Sequence, residues 1–78
     1  MNVNIGETIK LENGIKHVVF SKADYKGKTY LGIIDFNENI KVCYQEDDKL
    51  YIVDLDSLDM ELINLLIKEG RNSIDINS

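Results

Sequence analysis

His17 and Cys43 are the only histidine and the only cysteine in the chain, so thiol–imidazole chemistry would have to come from this one pair. A nucleophilic thiolate needs an adjacent base and an electropositive setting. Alternation along Ile40–Gln45 sends Ile40, Val42 and Tyr44 inward and Cys43 outward, on a strand that runs into Glu46, Asp47 and Asp48. That neighbouring negative charge would raise the thiol's pKa rather than activate it. Both residues read as ordinary strand residues. No serine elbow, phosphate-cradling glycine loop or zinc-ligand spacing is present. The expectation is a protein that is not an enzyme, with no catalytic residue and no cofactor.

Carboxylates are the next candidates. Asp54, Asp56, Asp59 and Glu61 lie in DLDSLDME, which opens with the D-x-D of a calcium loop. The pattern then fails, because Leu58 stands where a third oxygen ligand belongs and no glycine follows it. Helix capping accounts for Asp56 and Asp59, and Glu46, Asp47 and Asp48 read as a solvated turn, so no metal site is expected. Charge distribution says more. Residues 1–34 carry five lysines against Glu7, Glu12 and Asp24, whereas Glu46 to Glu61 hold seven acids and one lysine, in a chain of net charge −5. Duplex binding needs clustered Lys and Arg and is disfavoured. Glu46, Asp47, Asp48, Asp54, Asp56, Asp59 and Glu61 are instead candidate contacts for a partner protein with a basic surface. Tyr25, Tyr30, Tyr44 and Tyr51 could stack bases of a single strand on a small barrel, with Lys22, Lys26 and Lys28 supplying the groove. Half-buried packing is the commoner use of tyrosine in strands.

These residues need elements to hold them. Ile15–Phe36 reads as two long strands joined at Lys26-Gly27, where glycine supplies the positive φ of a short hairpin turn. Tyr25 and Tyr30 flank that turn as a cross-strand pair. Apolar groups fall on both parities after it (Tyr30, Leu31, Ile33, Ile34, Phe36), which marks a central strand covered on both faces. Before it the parity is mixed, and one bulge near Phe20–Lys22 reconciles the two sets. Gly32 marks a close backbone approach or a bend. Thr8–Leu11 precedes an Asn13-Gly14 turn, Asn37-Glu38-Asn39 connects to Ile40–Gln45, and Leu50–Leu55 is the last strand. The period then changes. Leu58, Leu62, Leu65 and Leu66 form one helical face, capped by Asp56 or Ser57 and closed by Lys68 and Gly70. The fold class expected is α+β: a twisted, mostly antiparallel five-stranded meander with one C-terminal helix packed on a face. Residues 1–70 make one small domain, with residues 1–6 flexible and residues 71–78 a frayed polar tail.

Leu11-x-x-Gly14, the strand ending Tyr25-Lys26-Gly27-Lys28-Thr29-Tyr30, and Asp35 resemble the YrzB-like family, small acidic bacterial proteins with a domain of unknown function. The acid-rich turn, the strand Leu50–Leu55 and the helix with Leu58 and Leu62 extend the likeness over residues 6–69. The resemblance implies a small cytosolic protein without known activity and carries over no functional residues.

The N-terminus lacks a signal-peptide pattern and no apolar run approaches a membrane span, so a cytoplasmic protein is expected. The leading reading is a module for protein–protein contact. The alternatives are a phage or mobile-element inhibitor whose acids 46–61 mimic nucleic acid and block a host nuclease, and a small-barrel single-strand binder. A second apolar stripe, Met60, Ile63 and Ile67, is the candidate interface of a homodimer.

Overall fold

The computed structural model describes residues 3–75. Five antiparallel strands follow one another in space as in sequence: β1 (Thr8–Lys10), β2 (Lys16–Tyr25), β3 (Lys28–Ile34), β4 (Ile40–Glu46) and β5 (Lys49–Val53). A 3-10 turn (Leu55–Ser57) leads to a single helix, α1 (Met60–Asp75). The α+β meander expected from the sequence is the fold.

Turn chemistry sets the hairpins. Lys26 and Gly27 both take positive φ, as do Asp47 and Asp48, the two-residue geometry whose twist matches that of the flanking strands. In the Asn37–Asn39 connection the left-handed residue is Glu38 rather than an asparagine. Asp35 holds that loop, its carboxylate accepting from the main-chain N–H groups of Asn37 and Asn39 and from the Asn39 amide.

The bulge decides which residues face where. Val19 stands across from Ile33 and Ser21 across from Gly32, leaving Phe20 as the extra residue. His17 and Val19 therefore point to one face of the sheet, and Ser21 and Ala23 to the other. The first face curls around an inner core of Val3, Val19, Leu31, Ile33 and Cys43. The second carries α1, with Leu62 and Leu66 packed against Ala23 and Val42. Strand β3 serves both, with Leu31 and Ile33 inward and Gly32 beneath the helix side. Phe20 fills the junction. A Cβ on Gly32 would lie 2.9 Å from the Phe20 ring, and one on Gly70 would lie 3.3 Å from it.

Five expectations are corrected. Cys43 is fully buried in the inner core, because β4 is covered on both faces, while Ile40 is exposed. Gly70 does not end the helix: it lies inside α1, where the absent side chain admits Phe20, and α1 continues to Asp75. Of the expected frayed tail, 71–75 is thus helical and 76–78 lies outside the described residues. Val3 is buried and the Gly6 N–H donates to the Val19 carbonyl, so the segment from residue 3 is fixed on the sheet. Finally, Tyr25 stands across from Lys28, while Tyr30 stands across from Ala23 on β2 and from Tyr44 on β4.

Candidate functional site

The seven acids fall on the β4–β5 turn, on and before the 3-10 turn, and at the start of α1. Glu46, Asp47 and Asp48 make the β4–β5 turn, where Glu46 is in register with Lys49. Asp54 caps the 3-10 turn, accepting from the Asp56 N–H, while Ser57 donates to the Asp54 carbonyl. The expected caps, Asp56 and Ser57, thus lie inside the turn that Asp54 caps. Asp59 precedes α1, its carbonyl accepting from the Ile63 N–H. Its carboxylate reaches away from the helix to the Tyr25 hydroxyl at 3.0 Å and the Lys26 ammonium at 3.3 Å, and Tyr25 also reaches Glu61. The Tyr25 hydrogen bond and then Lys26 hold the Asp59 carboxyl below its usual range. Asp59 therefore pins the helix start to the β2–β3 turn. Among the described residues no group of three or more His, Cys, Asp or Glu is arranged to hold a metal ion.

His17 and Cys43 are kept apart. Val18, next to His17, stands across from Ile34, whereas Cys43 stands across from Leu31, with β3 between the two strands. Burial pushes the Cys43 thiol up to about 11, the opposite of activation. Its cause is the dry core rather than the acids that follow it. His17 is also buried. Its Nδ1 lies 3.1 Å from the Ile15 carbonyl, and its Nε2 has no hydrogen-bond partner among the described residues.

Three tyrosines form a row across β3, β4 and β5. Tyr30 and Tyr44 meet at 6.1 Å, Tyr44 and Tyr51 stack at 5.1 Å, and the Lys28 ammonium sits 4.4 Å from the Tyr44 ring. Tyr25 stands outside the row. Tyr44 is thus stacked on Tyr51 and has Lys28 beside its ring, Tyr30 is tilted against it, and Tyr51 stays exposed.

A cleft of about 760 Å³ lies where the curled sheet brings β5 toward the end of β1. Lys10, Leu11, Glu12 and Asn13 line one side, and Lys41, Asp48, Lys49, Leu50, Tyr51 and Ile52 the other. Register fixes the direction of these side chains. Ile52 stands across from buried Cys43, so it points to the inner face, yet it is 52% exposed because it is on the last strand. Lys41 stands across from buried Ile33 and shares that face. Sequence reasoning missed this site. Its signal was the alternation of Leu50 and Ile52 on a terminal strand, which leaves inward-facing aliphatics with no further strand beyond them.

No protein-family model matches the chain, and no curated protein or solved structure matches it either. No helix among the described residues is long and apolar enough to cross a membrane.

Proposed function

We propose that the protein is a non-enzymatic module that works by contact with another protein. The observation that carries this is the cleft beside β5, where among the described residues core-facing Ile52 remains half uncovered and nothing pairs with the strand edge. Enzyme chemistry has little to work with: the thiol is held protonated, and imidazole and thiol are separated. The Tyr44 ring, at the middle of the row, is taken up by Tyr51 and Lys28, which supports packing over base stacking. Nucleic-acid mimicry would need free carboxylates on one face, and Asp59 is already paired with Lys26. A cytoplasmic location and membership of the YrzB-like family belong to the same proposal.

Affinity capture from a bacterial lysate tests it. The expected result is a protein retained specifically and held as salt is raised moderately. Recovery of a nuclease released steeply by salt would favour mimicry instead. Quenching of tyrosine fluorescence by oligonucleotides would favour single-strand binding.

A further inference from the structure

We propose that the cleft receives an extended, acidic and apolar segment of a partner protein, which adds to β5 as a sixth strand. This rests on the protein-contact reading above and gives it a surface and a ligand class. Three observations converge. The first is the edge: β5 ends the strand order, and none of the described residues pairs with its outer side. An unpaired edge offers a row of main-chain donors and acceptors, which is how strand addition gains affinity. Five residues give about 17 Å of such edge.

The second is the side-chain pattern. Leu50 packs partly on the inner core and Ile52 is half exposed, both on the face that the sheet curls around. Leu11, half-buried, lines the opposite wall. An added strand would lay every second side chain between Leu50, Ile52 and Leu11, covering apolar surface that the described residues leave exposed.

The third is charge. The cleft gathers Lys10, Lys41 and Lys49 against Glu12 and Asp48, a local excess of positive charge in a protein of net charge −5. No ion pair is formed by these three among the described residues, while Asp48 on the rim is already engaged. Alternate residues of the incoming strand should therefore be Asp or Glu. A single-stranded nucleic acid would also meet the lysines, but it would meet Glu12 and Asp48 as well, and Tyr51, the one ring in the lining, is stacked on Tyr44.

The test is selection of a random peptide library displayed on phage against the full chain, followed by study of the tightest peptide. Enriched sequences should alternate Asp or Glu with Val, Ile or Leu. Amide shifts on binding should map to Leu50–Val53 and Lys10–Leu11. Proline at interior positions of the peptide should weaken binding roughly tenfold or more, because it removes main-chain donors. Ile52→Glu with Lys41→Glu should do the same. Should that variant melt early, Lys10→Glu with Lys49→Glu, both at exposed positions, tests the charge arm alone. A basic or proline-rich consensus, shifts that map elsewhere, tighter binding of oligothymidylate at the cleft, or no enrichment would each overturn the proposal. A lysate partner captured equally well by the cleft variant removes the cleft and keeps the protein-contact reading. A wild type that captures no protein removes that reading itself.

Discussion

Phe20 is the residue on which both cores turn. As the bulged residue it has no counterpart on β3, and its ring occupies the space above Gly32 and beside Gly70. The two glycines are not equivalent. A methyl on Gly32 would also meet the Ser21 Cβ at 3.2 Å, with strands on both sides to stop β3 from moving. Gly32→Ala should cost about 1–3 kcal/mol, the range for overpacking. At Gly70 the clash is milder, and alanine gains about 1 kcal/mol of helix propensity over glycine. Gly70→Ala should therefore fall within about 1 kcal/mol of the parent. Urea unfolding of both variants checks the order, and a Gly70→Ala variant weaker than Gly32→Ala would contradict it. Cys43 gives a second residue-scale prediction. Its folded pKa of about 11 lies above the ordinary 9.0, so the fold favours the neutral thiol. Stability from this group is complete below pH 9 and is lost as pH rises towards 11. Cys43→Ala should flatten the alkaline loss across that window. Alkylation of native Cys43 at pH 8 should proceed only as fast as the chain opens.

Polar links also join the elements, and the Asp59 link is one that pH can address. Asp59 has a lowered pKa because Tyr25 and Lys26 favour its carboxylate, so its contribution is present above the ordinary value of 3.8 and is lost as pH falls through the folded value. Asp59→Asn lacks that contribution at every pH. The stability gap between the two proteins should be open at pH 7 and close below about pH 4. A gap that persists unchanged in acid would mean that Asp59 acts by packing. The helix itself is structural: Leu62 and Leu66 are half of the second core, and the buried Ser21 hydroxyl donates to the Leu66 carbonyl. Truncation after Leu55 should abolish cooperative unfolding, and a truncated chain that still melts sharply would refute this. At this scale the sequence was a good guide. Asn13-Gly14, Lys26-Gly27 and the change of period after Leu55 placed the hairpins and the helix, and mixed parity placed the bulge. The errors share a cause, which is that local rules cannot see distant neighbours. Gly70 carried the mark of a helix stop, but its partner Phe20 is fifty residues away in sequence. Cys43 seemed outward because Val42 and Tyr44 formed an apolar set, and alternation cannot identify the wet face of a strand that has none. Alternation of Leu50 and Ile52 on the last strand marked one wall of the cleft, but the other was not legible, because it forms only once the sheet has curled enough to bring Leu11 to the same cleft as Ile52.

For the molecule as a whole, the open question is whether the chain acts alone or as a pair. The second helical stripe resolves into two parts. Ile63 is half-buried, so the sheet and helix together reach that far around the axis, whereas Met60 is 69% and Ile67 50% exposed. A charge at Ile63 would therefore confuse folding with association. Charges at Met60 and Ile67 would not, since surface changes usually stay within about 0.5 kcal/mol. The proposed two-fold contact would set Met60 and Ile67 against their own copies. Two exposed side chains per chain fall well short of the roughly 800 Å² per partner of a standard interface, so any pairing through them should be weak. The expected outcome is a mass that rises with concentration in the wild type and stays that of one chain in Met60→Lys with Ile67→Lys, with the melting transition little changed. Light scattering and thermal unfolding of the same samples decide the matter. A wild type that remains a monomer at high micromolar concentration ends the homodimer. An early-melting double variant would instead place Met60 and Ile67 in the core, against their exposure here.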